Sequence, residues 1–130
     1  MITGLYASLI GLLFLALSVR VITYRRANSI SIGAGGDRLL ERRIRAQGNL
    51  VEYAPITLIL LWMLEAGGAA AWSIHCGGAC LVLGRTMHGL ALSSARPKPV
   101  LRVGGMFATL TVLGAASIAL LVRALWFGGV

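Results

Sequence analysis

The sequence predicts an all-α, polytopic membrane protein built as a four-helix transmembrane bundle. Three observations carry that expectation. Of 130 residues, 58% are hydrophobic and 12% charged, with a mean hydropathy of +0.85. An average soluble protein is roughly 25% charged, and a small domain has too much surface to cover with so few charges. The apolar residues fall into four long segments rather than spreading evenly. The net charge of +8 is also segregated: residues 20–45 carry seven Arg against Asp37 and Glu41, and residues 85–102 add Arg85, Arg96, Lys98 and Arg102. Short basic segments between long apolar ones are the layout of cytoplasmic loops under the positive-inside rule. Nucleic acid is therefore not an expected partner.

The first segment, residues 2–19, contains no charge over 18 positions, about the length that crosses a hydrocarbon core of roughly 30 Å. It lacks the positive n-region and short apolar core of a secretory signal, so it reads as a retained span. Residues 28–37 form a polar, glycine-rich loop, and Asp37 is placed to cap the next helix, with Glu41 in its second turn. That helix starts basic, residues 38–45, and turns apolar over residues 50–64. Gly67 and Gly68 make a short turn. The third segment, residues 69–92, contains Gly77, Gly78 and Gly84, small residues that allow close helix packing in lipid. Pro97 and Pro99 then break the helix. The fourth segment, residues 103–122, is an apolar run of 20 closed by Arg123 and Trp126. One domain is expected over residues 1–130, with spans at about 2–24, 38–66, 69–94 and 100–125. Both basic loops are expected in the cytoplasm, with both termini on the opposite face.

Ionisable groups inside membrane helices are costly and tend to mark function. On the second helix Arg45, Asn49 and Glu52 share one face, with Arg45 and Glu52 only about 20° apart at 100° per residue; Gln47 and Tyr53 flank them. Two readings stand: an interfacial Glu paired with a snorkelling Arg, or a ligand-gripping stripe. Arg85 and His88, three apart on the third helix, read either as interhelical ties or as part of the same site. The excess of Arg over Lys favours an anionic ligand held by guanidinium forks. Cys76 and Cys80, four apart with no further cysteine, read as packing residues, and no metal site is expected.

The run Arg45-Ala46-Gln47-Gly48-Asn49-Leu50-Val51-Glu52-Tyr53-Ala54-Pro55 resembles the signature of the MAPEG superfamily, membrane-associated proteins in eicosanoid and glutathione metabolism. Arg25-Arg26 is similar to the paired-arginine end of that family's first helix. Gly84-Arg85 with His88 resembles its third-helix motif, and Arg102 the basic residue opening its fourth. Some eicosanoid-forming members carry tyrosine where this chain has His88 and Leu92.

The resemblance implies a homotrimer binding glutathione between subunits at the cytoplasmic side. Arg45, Asn49, Glu52 and Tyr53 hold the tripeptide, Glu52 meeting its α-amino group. Arg25, Gln47, Arg85 and His88 complete the polar shell. Arg102 lies near the sulfur as the catalytic residue, with Arg26 as the other candidate. The implied activity is a glutathione-dependent membrane transferase or peroxidase, of the bacterial inner-membrane type. Glutathione is the co-substrate, and lipophilic electrophiles arrive through the lipid. A non-catalytic binding or structural protein of the same fold is the alternative. A transporter or channel subunit is a third reading, disfavoured by the clustering of polar residues toward one face.

Overall fold

The computed structural model describes residues 1–96 and 98–127. Pro97, one of the two helix-breaking prolines expected above, lies outside them, as do residues 128–130. Four helices follow one another: α1 (Ile2–Ala27), α2 (Arg38–Ala66), α3 (Ala71–Ser93) and α4 (Pro99–Phe127). Among the described residues there is no strand, and the chain is a helical membrane bundle.

The arrangement is a rhombus. α2 and α3 form its short diagonal and each touches all the other helices, whereas α1 and α4 stand at opposite corners and do not meet. Two apolar clusters fill it. Ile10, Leu17, Leu50, Ala54 and Leu81 join α1 to the diagonal; Leu61, Leu64, Ile74, Val112, Ala116 and Leu120 join α4 to it. Outward-facing residues such as Leu12, Leu15, Ile59, Phe107, Ile118 and Leu121 are exposed and apolar, the inverse of a soluble surface and what a lipid-facing wall requires.

α1, α2 and α4 are long and apolar enough to cross a membrane. α3, with 23 residues, has the length, since 1.5 Å per residue covers roughly 30 Å. It is diluted by His75, Arg85, His88 and its glycines. Its buried positions Ile74, Gly78, Leu81, Arg85, His88 and Leu92 alternate steps of four and three, the seam of a helix surrounded by other helices. Close approach is needed at two buried glycines of α3. A Cβ on Gly84 would lie 2.9 Å from the Gly105 carbonyl oxygen of α4, and one on Gly78 would overlap the Tyr6 ring of α1.

Local chemistry fixes the helix ends. Asp37 caps α2 as expected, its Oδ1 accepting from the Leu39 and Leu40 amides at 2.8 and 3.0 Å. Its Oδ2 accepts from the Tyr24 hydroxyl at 2.8 Å, and the Arg43 guanidinium lies 4.5 Å above the Tyr24 ring. The α1–α2 loop is thereby clasped. At the other end Glu65 accepts from the amides of Ile2 and Thr3, capping α1, while Arg123 donates to the Gly67 carbonyl. Orphan carbonyls at the end of α3 need donors from elsewhere. Arg42 donates to Ala91 and Ala95 at 3.3 and 3.4 Å, and Arg20 to Ser93 at 3.5 Å. Pro99 opens α4, where a missing N–H costs nothing.

Candidate functional site

The second-helix stripe lies where the basic half of α2 becomes apolar, and it faces α3 and α4. Arg45, Asn49 and Tyr53 recur every four residues and line one side of a cleft of about 660 Å³ at the basic end of the bundle. His88, Ala91 and Leu92 of α3 form the back. Lys98, Pro99, Arg102 and the α4 residues Val103, Met106, Phe107 and Leu110 form the other side, and Arg42 stands at the rim. The cleft is thus two-sided. Its α2 wall and mouth are cationic and amide-bearing. Its α4 wall is apolar, with Val103 67% and Phe107 72% exposed in the single chain.

Polar contacts order the α2 wall. Arg45 Nη1 is 3.3 Å from Glu52 Oε1, two turns away, and Asn49 Nδ2 donates to Glu52 Oε2 at 3.5 Å. Both members of the ion pair are largely exposed, whereas Asn49 is buried. Both readings of the stripe meet here: the ion pair forms, and Arg45 and Asn49 also face the cleft. Beneath the cleft floor lies Arg85, 2% exposed and the largest fully buried side chain among the described residues. Its Nη1 donates to Asn49 Oδ1 at 2.7 Å and its Nε to Thr109 Oγ1 at 2.8 Å. With Oδ1 engaged by Arg85, the Asn49 amide must present its N–H groups toward Glu52. His88 Nδ1 lies 3.1 Å from the Arg102 carbonyl oxygen. A carbonyl can only accept, so Nδ1 carries a hydrogen and donates it.

Of the residues singled out in the sequence, Arg45, Asn49, Tyr53, His88 and Arg102 line this one cleft, with Glu52 and Arg85 attached through Asn49. Gln47 points elsewhere, donating to Ser18 Oγ of α1 at 2.8 Å. Arg25 and Arg26 line a separate groove at the foot of α1 with Ile22, Ser29, Ile30 and Ser31. Within one chain these three stay apart from the cleft. The sequence reading missed Thr109, Met106, Lys98 and Arg42. Thr109 had one available signal: a buried Arg on α3 needs an acceptor, and few residues in the middle of α4 carry one.

Helices that gather a polar constellation between them and turn apolar residues outward define a polytopic membrane protein, with a cleft at its basic end. The chain belongs to the MAPEG family, whose model matches residues 3–122. It is 40% identical over 88 residues to the inner membrane protein YecN from two strains of Escherichia coli, covering 68% of this chain and 67% of that one. It is 37% identical over 92 residues to human microsomal glutathione S-transferase 2, covering 65% of this chain and 58% of the human protein.

Proposed function

We propose that the chain is a glutathione-dependent integral membrane enzyme, transferring the glutathione thiolate to lipophilic electrophiles or reducing lipophilic hydroperoxides with it. One observation carries the reading. Arg45, Asn49, Tyr53, His88 and Arg102 converge from three helices on a cleft whose α4 wall is otherwise apolar and exposed. Similarity to a protein named as a microsomal glutathione S-transferase supports it.

The chemistry follows from the two walls. Glutathione carries two carboxylates, an ammonium and a thiol. Arg45 and the cationic mouth suit the carboxylates, and Glu52 suits the ammonium. A thiol with an ordinary pKa of about 8.5 is mostly un-ionised at neutral pH, and the thiolate is the nucleophile. A guanidinium cannot act as a base, but Arg102 beside the sulfur favours the anion electrostatically. An electrophile dissolved in the bilayer reaches that sulfur along Val103, Met106 and Phe107; a carbon–sulfur bond forms there as the electrophile's leaving group departs with the electron pair of the bond broken, or, for a conjugated acceptor, as its π bond opens and takes up a proton from water. Assembly as a homotrimer is part of the proposal, with the Arg25–Arg26 groove and the open cleft as the faces that neighbouring subunits complete. The membrane is the bacterial inner membrane, with the cleft on its cytoplasmic side and both termini in the periplasm.

Mixing the purified protein with glutathione tests the reading through the ultraviolet absorbance of a thiolate. A saturable rise is expected. No rise, with glutathione still bound, leaves the non-catalytic binding protein; no binding at all removes glutathione altogether.

A further inference from the structure

A second concavity, of about 670 Å³, lies between α3 and α4 at the end of the bundle away from the basic loops. The function proposed above makes no use of it. Trp72, Cys76 and Cys80 recur every four residues along its α3 side, and Ala115 and Ala119 do so along α4. Leu61, Ile74 and Val112 close the bottom. The helices meet backbone to backbone at Gly84 and Gly105, and beyond that crossing these short side chains leave the space between them unfilled. The two hydroxyls along the groove are satisfied within α3 and α4: Ser73 donates to the Ala70 carbonyl and Thr111 to that of Phe107. Below Arg123 the groove is therefore apolar and has no use for water. Twelve steps of α4 from Thr111 to Arg123 cover about 18 Å, and eight of α3 from Trp72 to Cys80 about 12 Å. One leaflet of a hydrocarbon core of roughly 30 Å is about 15 Å deep. The groove is one leaflet long, and the exposed Trp72 marks its headgroup end.

Arg123 stands at that same end and is the one charged residue of the groove among the described residues. Its Nη2 donates to the Gly67 carbonyl, and a Cβ on Gly67 would lie 3.0 Å from that nitrogen. The guanidinium is thus seated on the backbone, yet one carbonyl occupies only one of its five N–H donors. Among the described residues no carboxylate pairs with it. A second copy of the chain has no side-chain carboxylate to bring there. Of the four acidic residues, Asp37, Glu41 and Glu52 lie toward the basic end, and Glu65 is held by the amides of Ile2 and Thr3. Apolar contact alone selects nothing in a bilayer, where lipid tails are as apolar as the protein. The cation has to make the selection. We propose that the groove is a lipid site: one acyl chain of a glycerophospholipid from the leaflet opposite the basic loops lies between α3 and α4, with its phosphate at Arg123.

Photolabelling tests the site without glutathione. The purified protein, in an uncharged maltoside detergent, is labelled with phosphatidylglycerol carrying a diazirine midway along one acyl chain, and the adducts are mapped by mass spectrometry. They are expected to concentrate in residues 72–80 and 111–122, about fivefold above those from diacylglycerol bearing the same chain, the effect of one cation near a headgroup. Arg123→Gln should bring the two probes level, and Arg123→Lys should keep most of the difference. Ala115→Leu combined with Ala119→Leu fills the groove and leaves Arg123 in place. Both positions are exposed, so the fold is expected to hold while the adducts leave the groove. That variant and the diacylglycerol comparison decide the matter should Arg123→Gln fail to fold. Adducts spread evenly over the outward faces of α1 and α4, or equal adducts from the two probes in the parent, overturn the proposal and leave bulk lipid only. A chain-to-chain crosslink through Cys76 that excludes the lipid overturns it in favour of a second copy. Failure to bind glutathione overturns the function proposed above and does not touch this result.

Discussion

Asn49 and Glu52 sit on one turn of α2 yet face different tasks. Asn49 is buried and fixed by Arg85; Glu52 is half in solvent, tied to Arg45 by an exposed ion pair. Exposed pairs contribute about 0–1 kcal/mol to stability, so Glu52→Gln is expected to leave the unfolding temperature nearly unchanged. It should still weaken glutathione binding by about 1.5–3 kcal/mol, the worth of a charge-assisted hydrogen bond, as measured by calorimetry. Arg102→Ala should keep most of the binding and lose thiolate absorbance. If Glu52→Gln binds like the parent, the stripe is structural. The stripe was legible because 3.6-residue periodicity puts Arg45, Asn49 and Glu52 on one face. The same arithmetic sets Gln47 about 200° around from Arg45, and the structure turns it to Ser18; only the family resemblance had drawn it toward the ligand. Met106 was not legible, and Thr109 was so only through the need of a buried Arg85 for an acceptor. A hydroxyl or a thioether in an apolar helix acquires meaning only once Arg85 is known to be buried against it.

Helices were legible where their ends are written locally: Asp37 at the start of α2, Gly67 and Gly68 after it, Pro99 at the start of α4. The end of α3 was placed too, at residues 92–94 ahead of the prolines, and the helix stops at Ser93; its capping donors were not, because Arg20 and Arg42 are 73 and 49 residues away from their partners Ser93 and Ala91. Crossing points were half legible. Gly84 and Gly105 do meet backbone to backbone, while a Cβ on Gly104 would find only Met87 Cε at 3.6 Å. Gly105→Ala is therefore expected to cost about 1–3 kcal/mol by overpacking and to displace the His88–Arg102 contact, since its Cβ would press on the Gly84 carbonyl and on the His88 nitrogen, 2.8 Å away. Gly104→Ala should be neutral or slightly stabilising. Thermal unfolding of the two in detergent checks the contrast, and equal losses would remove the close crossing. The cap of α2 predicts a pH dependence. The Leu40 amide first, and then the Tyr24 hydroxyl, hold the Asp37 carboxyl below the usual carboxylate range. With the folded value depressed, its contribution is fully present above the unfolded pKa of about 3.9 and is lost as pH falls through the folded one. The parent should lose thermal stability more steeply below about pH 4 than Asp37→Asn, which keeps a capping oxygen but has no such proton to take up. Parallel profiles would mean the clasp is not electrostatic.

At the scale of the whole molecule, charge segregation predicts orientation. With Cys76 and Cys80 replaced, a cysteine introduced at Ser31 should react with a membrane-impermeant reagent only from the cytoplasmic side, and one at Ala69 only from the other. The reverse pattern would move the cleft to the periplasm. The rhombus was not legible in the sequence, because four apolar segments of similar length leave open which pair forms the diagonal. The burial pattern of α3 decides it, and that pattern depends on tertiary partners. The composition of α3 has a consequence for biogenesis. An arginine at the centre of a helix opposes translocon-mediated insertion by about 2.5–3.5 kcal/mol, and α3 is less apolar than its neighbours. One acceptor for that arginine, Asn49, has already been synthesised when α3 leaves the ribosome, but Thr109 and Met106 have not. α3 and α4 thus favour entering the bilayer together as a hairpin, after α2. The buried charge that ties α2, α3 and α4 together in the folded bundle is thereby a cost while the chain is being inserted.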